Sequence, residues 1–256
     1  MKRIGYIGIV FLIWSCSKKS NEIEPEKLLS KVTGKWQINS QSGVNEKNMP
    51  FIEFLSDGTY IIYNLTKEPV VDKYEIEGEN KIVLDHFGQL SEVAVIDGKI
   101  SFKMTYEGKT VSVLASKLPT IPMTEKTRQL IHRWSLNNEE DAYLYSYFNN
   151  VDDPIPFDKI IVFFTPSGTT CSLSFSKNQL IDVNLENWRW HSKLADHLYV
   201  WENPYDSEYY RPERQSEDNR YVKIRELSTT QLKLTSYFVR PDGKISTENV
   251  SLTKAD

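Results

Sequence analysis

Between Phe51 and Leu118 apolar residues alternate with polar ones in short runs, which is the period-two signature of strands that bury one face. Ile82/Leu84, Val93/Val95, Ile100/Phe102/Met104 and Val111/Val113/Ala115 each share a side. Turn chemistry separates the runs at Ser56-Asp57-Gly58, Glu77-Gly78-Glu79, Phe87-Gly88, Asp97-Gly98 and Glu107-Gly108. Asp97-Gly98 is the strongest of these, because both central positions of a type I′ turn need positive φ. Strands punctuated this regularly predict an antiparallel meander that closes as a barrel or sandwich.

The pattern breaks at "LPTIPMT" (Leu118 to Thr124), where Pro119 and Pro122 cannot donate to a ladder, and then begins again. "EPEKLLSKVTGKW" and "MTEKTRQLIHRW" each predict a short helix, then a tryptophan, then a strand, with Leu28/Leu29 and Leu130/Ile131 tucking the helix against a barrel end. The hairpins "FIEFLSDGTYIIY" and "IIVFFTPSGTTCSLSF" follow in the same order. A recurrence this long reads as a duplicated domain and not as a solenoid.

Gly34-Lys35-Trp36 at the head of an antiparallel meander resembles the G-x-W of lipocalins. The whole plan is similar to the lipocalin-like domains of Bacteroidota lipoproteins. In the second copy His132-Arg133-Trp134 stands in the same place without the glycine. The resemblance implies an all-β chain of two tandem up-and-down barrels, each of about eight strands and preceded by a short helix, with the tryptophan plugging the closed end.

The amino terminus strengthens this reading. Lys2 and Arg3 precede an apolar run from Ile4 to Trp14, the length of a signal-peptide core and too short to span a bilayer. The run ends at Ile13-Trp14-Ser15-Cys16, which resembles a lipobox and implies lipidation of Cys16 after cleavage. The expected organisation is a signal peptide over 1–15, a lipidated tether over 16–27, β domains over 28–117 and 124–256, and a linker over 118–123. Acyl chains on Cys16 would hold the protein on a membrane. Ser17 after the cysteine points by resemblance to the bacterial outer membrane, and leaves open which face the protein occupies.

Charge and cysteine content narrow the classes. The formal net charge is −4, and losing Lys2 and Arg3 with the leader makes it −6 (−4 − 2), the wrong sign for a nucleic-acid surface. With Cys16 acylated only Cys171 is left, so an internal disulfide is excluded.

The two copies differ where function would be expected. Trp36 to Gly58 spans 22 positions (58 − 36), and Trp134 to Gly168 spans 34 (168 − 134). The excess of 12 (34 − 22) falls within "DAYLYSYFNNVDDPIPF", and a second insertion runs "ENPYDSEYYRPERQSEDNR". Loops this long are usually functional or disordered. Aromatic residues concentrate in the second copy as well, which makes Trp188, Trp190, Tyr145, Tyr147, Tyr205, Tyr209 and Tyr210 the ligand-binding candidates. Trp188 and Trp190 share a strand face and could line a cavity, stack on a sugar or fill a wide barrel.

No catalytic constellation emerges. The serines lack a G-x-S-x-G elbow, Pro166-Ser167-Gly168-Thr169 reads as a turn, and Cys171 is in phase with Leu173 and Phe175 as a buried hydrophobe. His191 and His197 have no zinc-site context, and the pairs Glu139-Glu140 and Asp152-Asp153 lack the alternating pattern of a calcium loop. The sequence therefore predicts a non-enzymatic envelope lipoprotein with no cofactor and no metal, its second barrel holding a small apolar or aromatic ligand at an open end. Two alternatives stay open. One is a structural or protein-interaction module with filled barrels and an envelope protein as partner; the other is a surface glycan-binding protein.

Overall fold

The computed structural model describes residues 25–41, 50–66, 68–136, 158–202, 216–239 and 244–255. Within them the chain forms two closed antiparallel barrels in tandem, each of eight strands joined in chain order. The first barrel contains β1 (Gly34–Gln41), β2 (Phe51–Phe54), β3 (Thr59–Tyr63), β4 (Val70–Glu77), β5 (Lys81–Leu84), β6 (Gly88–Ile96), β7 (Lys99–Tyr106) and β8 (Lys109–Lys117), and follows helix α1 (Pro25–Val32). The second contains β9 (Arg133–Leu136), β10 (Lys159–Phe164), β11 (Thr169–Ser176), β12 (Gln179–Trp190), β13 (His197–Glu202), β14 (Arg220–Leu227), β15 (Gln231–Val239) and β16 (Ile245–Lys254), and follows α2 (Glu125–Leu130). β8 closes onto β1 and β16 onto β9, so neither barrel leaves an open edge.

The turns have the dihedrals their sequences demand. Asp97 and Gly98 both have positive φ (49° and 72°), as a type I′ hairpin needs. Lys177-Asn178 forms a turn of the same sign without any glycine. Gly88 serves a different need, because a Cβ there would lie 2.1 Å from the Thr105 carbonyl oxygen of the neighbouring strand.

Each helix ends where its barrel's tryptophan begins. Trp36 and Trp134 are fully buried, and each indole N–H donates to the carbonyl four residues earlier, Val32 (2.6 Å) and Leu130 (2.9 Å). Thr124 caps α2 by accepting from the Thr127 N–H at 3.1 Å, which fixes where that helix starts.

The duplicated hairpins superpose bond for bond. Leu55 N–H bonds Thr59 O, Gly58 N–H bonds Leu55 O and Tyr74 N–H bonds Gly58 O; Thr165, Thr169, Gly168 and Trp188 repeat the set. Side chains repeat it too, since Tyr74 Oη donates to Leu55 O (2.8 Å) and Trp188 Nε1 donates to Thr165 O (3.1 Å). Gly58 and Gly168 have φ of 77° and 81°, in the left-handed region that favours glycine.

The barrels pack side by side through these hairpins. Phe51, Ile61 and Tyr63 of the first meet Phe163, Cys171, Leu173 and Leu185 of the second in one apolar cluster. By register Ile61 matches Cys171, Tyr63 matches Leu173 and Phe51 matches Ile161, so the seam joins the same outer surface of both copies in a quasi-twofold way. β3 is therefore buried along its whole length, and β11 over its first six residues. Alternation cannot be seen where both faces are covered.

Candidate functional site

The second barrel has two unlike ends. At the α2 end the interior is apolar: Trp134, Trp188, Leu198 and Leu232 are fully buried and pack with Phe164, Ile224 and Leu252. Residues two apart on a strand share a face, so the same inward face can be followed toward the other end. There it becomes polar and gains exposure.

On β11 the inward residues are Thr170, Ser172 and Ser174, each opposite an inward-facing β10 residue, Phe164, Val162 and Ile160. Cys171 and Leu173 are buried, as their phase predicts, and Phe175 is partly buried on the same face. Those side chains pack against the first barrel. Across β12 the three hydroxyl residues pair with Glu186, Asn184 and Asp182. Glu186 forms an ion pair with Arg220, whose β14 position shares the inward face of Val222 and Ile224.

Exposure follows the same axis. Val162, Glu186, Arg220, Val222, Ser236, Glu248 and Val250 are half-buried and Asn184 is exposed, although all lie on inward faces. Thr170, Ser172 and Ser174 are buried, and among the described residues the Thr170 Oγ1 has no hydrogen-bond partner. A buried hydroxyl without a partner carries a desolvation cost of about 1–3 kcal/mol. Burial also pushes the Asp182 carboxyl up from the usual aspartate range.

The first barrel is built differently at the same places. Tyr60 and Ile62, two and four residues after Gly58, occupy the positions of Thr170 and Ser172 after Gly168. Both are fully buried, and Tyr60 donates to Asp85 O at 2.7 Å while packing edge-on to Phe87. Phe87 in turn stacks on Tyr106 at 4.4 Å between ring centroids. The inward positions that hold Tyr60 and Ile62 in one copy, packed with Phe87 and Tyr106, hold threonine and serine in the other.

Trp188 and Trp190 do face one side, with Arg189 on the other, and the structure places them at the α2 end. Trp188 is a core side chain set edge-on to Phe164 and Trp190. Trp190 is half-buried, donates to Thr127 Oγ1 (2.9 Å) and lies under Lys126 Nζ (5.3 Å). Both help to seat α2. Cys16, Tyr145, Tyr147, Tyr205, Tyr209 and Tyr210 lie outside the described residues, as do the acidic pairs Glu139-Glu140 and Asp152-Asp153 and most of both insertions.

The described end of the second insertion folds back over the outside of the barrel. Glu217 pairs with Arg189 at 2.7 Å and accepts from Ser192, and the Ser192 hydrogen bond is the main reason its carboxyl is held below the usual glutamate range. His191 Nδ1 accepts from the N–H groups of Lys193 (3.0 Å) and Leu194 (3.2 Å), so its proton sits on Nε2 and reaches Glu217 O (3.1 Å). That histidine is a structural clasp. Among the described residues no three His, Cys, Asp or Glu side chains are grouped to hold a metal ion, and no described helix is long and apolar enough to cross a membrane.

A second polar cluster lies in the seam. Glu53 is fully buried and accepts from Thr169 Oγ1 at 2.6 Å, while its Oε1 has no partner among the described residues. Burial lowers the Lys35 pKa, and the Glu53 charge opposes that shift. Lys35 Nζ sits 4.0 Å from the centre of the Phe51 ring. Walled in by both barrels, this cluster holds them together and offers no approach to a substrate.

In comparisons with known proteins the chain matches no family model and no curated sequence.

Proposed function

We propose that the protein is a lipid-anchored, non-catalytic protein of the bacterial outer membrane in which the second barrel carries a small ligand and the first is a filled support. The observation that carries this reading is the exchange of Tyr60 and Ile62 for Thr170 and Ser172 at matching lumen positions, which removes bulk from one copy only. Ligand sites are concave and few per protein, and a barrel end whose inward faces turn from apolar to polar is a candidate for such a place. The Ile13-Trp14-Ser15-Cys16 sequence supports the anchor. The ligand's place is the end away from α2, and Trp188 and Trp190 form its floor from below instead of its wall.

The test is native mass spectrometry of the protein purified from its own envelope, beside the double variant Thr170→Tyr/Ser172→Ile. A co-purifying mass on the wild type that the refilled variant lacks is the expected result. Equal occupancy of both, or of neither, would remove the ligand-bearing role from this barrel. Labelled palmitate should enter the wild type and not Cys16→Ser.

An interaction module is the second reading, and one observation favours it. Tyr221 stacks on Tyr237 (4.9 Å) and Tyr199 on Trp201 (4.7 Å) on the outer side of β13 to β15, away from the seam. Co-purification of one stoichiometric envelope protein, lost on Tyr237→Ala, would support it.

A further inference from the structure

We propose that Lys35 and Asn187 condense into an isopeptide bond, with Glu53 carrying the proton, so that a covalent link crosses the seam between the two barrels. The proposal concerns the seam alone and stands apart from whether the second barrel carries a ligand.

Four side chains close a ring there. Lys35 and Glu53 are direct partners on β1 and β2, and Thr169 and Asn187 are direct partners on β11 and β12. Two hydrogen bonds tie the pairs together across the seam: Lys35 Nζ donates to Asn187 Oδ1 at 3.1 Å, and Thr169 Oγ1 donates to Glu53 Oε2 at 2.6 Å. An amine, a carboxamide and a carboxyl group thus share one enclosed place. Lys35 is 5% exposed, Glu53 is fully buried and Asn187 is half-buried.

The other copy shows that packing does not demand this set. By register the counterparts of Lys35, Glu53, Thr169 and Asn187 are Arg133, Phe163, Thr59 and Lys73. That group has two cations and a ring, with neither a carboxamide to attack nor a carboxyl group to move a proton. Phenylalanine fills the place of Glu53, so burying a charged group there, which is costly, is not a requirement of the seam.

The reaction needs a neutral amine, because an ammonium group has no lone pair to give. Burial lowers the Lys35 pKa and so favours that form, while the Glu53 charge opposes it. The electrophilic Cγ of Asn187 lies one carbonyl bond, ~1.2 Å, beyond the oxygen that Nζ already touches. Holding two reactants in such contact makes a slow intermolecular step an efficient internal one.

In the reaction the Nζ lone pair attacks Cγ and the new C–N bond forms. Glu53 takes a proton from Nζ and delivers it to Nδ2, the Cγ–Nδ2 bond breaks, and ammonia leaves. One amide replaces another, so the atoms balance without an oxidant, a nucleotide or a second enzyme. Thr169 holds one Glu53 oxygen in place, and Oε1, which has no partner among the described residues, is the oxygen that carries the proton. The bond joins residues 152 positions apart, so the barrels stay linked when the chain unfolds.

The experiment is tryptic peptide mapping by mass spectrometry of the denatured full chain, for wild type, Lys35→Arg, Glu53→Gln and Asn187→Asp. In the wild type, peptide 32–47, uncut at Lys35, should be joined to peptide 178–189 with a mass one ammonia below their sum. The denatured wild type should also migrate faster in a gel than Lys35→Arg, which cannot form the bond. Glu53→Gln should lower the linked fraction at least ~10-fold, since a positioned proton carrier contributes about 10²–10⁴-fold. Asn187→Asp should form the link with loss of water in place of ammonia, a mass signature that a merely structural contact does not produce. Separate, unbranched peptides from folded wild type would overturn the proposal. Equal linkage in wild type and Glu53→Gln would overturn the part given to Glu53; if that variant does not fold, the wild-type and Asn187→Asp maps still decide the bond.

Discussion

Lys35 of the first barrel donates to Asn187 Oδ1 of the second at 3.1 Å, across the seam between them. Its counterpart in the second barrel reaches back the other way: Arg133, placed like Lys35 beside the buried tryptophan, contacts Asp57 Oδ2 at 3.0 Å and Thr59 Oγ1 at 2.8 Å. The two cations are equivalent by their carbonyls, since Leu118 N–H bonds Lys35 O and Ala255 N–H bonds Arg133 O. Each also covers an aromatic face, Phe51 for Lys35 and Phe163 for Arg133. The cations come from matching positions while their partners differ, since by register Phe163 matches Glu53 and Phe51 matches Ile161.

Thr169→Val should destabilise the seam. It removes the hydroxyl that satisfies a fully buried Glu53 carboxylate, at a cost of about 2–3 kcal/mol. Urea unfolding followed by tryptophan fluorescence should show a lower midpoint, and Glu53→Gln in the Thr169→Val background should recover part of it. An unchanged midpoint for Thr169→Val would mean that the contact contributes nothing.

Asp57→Asn should cost stability at neutral pH and little in acid. Burial raises the Asp57 carboxyl, but hydrogen bonds from Thr59 and Arg133 and the Arg133 charge outweigh it, so its folded pKa lies below the usual aspartate value. Stability from a depressed carboxyl is present above the unfolded pKa near ~3.9 and is lost as pH falls through the folded pKa. The site is half-exposed, so the neutral-pH difference should stay below about 1 kcal/mol. Wild-type and variant melting curves should converge as the pH falls below the depressed folded pKa; a gap that widens in acid would contradict the sign.

Cys171 should be inert in the folded protein. It is fully buried in the seam, and burial pushes its thiol pKa well up, so little thiolate forms. A thiol-reactive dye applied to the Cys16→Ser protein should react only after denaturant is added. Stoichiometric labelling within minutes under native conditions would show that the barrels separate readily.

Gly88→Ala and Gly98→Ala should differ sharply. At Gly88 a methyl group would lie 2.1 Å from a backbone oxygen, whereas at Gly98 nothing lies within 4 Å and only the positive φ is unfavourable. The expected losses are above about 3 kcal/mol and about 1 kcal/mol. Equal effects would mean that the β6–β7 approach relaxes freely.

Much of the fold was legible from the chain. Strand alternation, the Asp97-Gly98 turn and the repeated helix, tryptophan and hairpin predicted two tandem barrels, and the structure has them. At β11 alternation picked out the buried phase without saying which side of the strand it covers. Its apolar phase, Cys171, Leu173 and Phe175, is the outer one, because a neighbouring barrel supplies apolar contacts that a sequence window cannot contain. The polar phase Thr170, Ser172, Ser174 then marks the lumen, and the signal for it was available: aligning Gly58 with Gly168 sets Tyr60 and Ile62 against Thr170 and Ser172. Aromatic enrichment pointed instead to Trp188 and Trp190, which β-propensity and core filling explain.

The quasi-twofold seam divides labour between the copies. A lone barrel needs every inward residue for its own core, and a strand as hydroxylated as β11 would weaken it. Here the first barrel takes the apolar edge of that strand as part of a shared core, so its inner edge is released from packing. The filled copy is thus what permits the other to carry hydroxyls on an inward strand face, and a chain that lost the first barrel would lose the apolar cover over the outer face of β11.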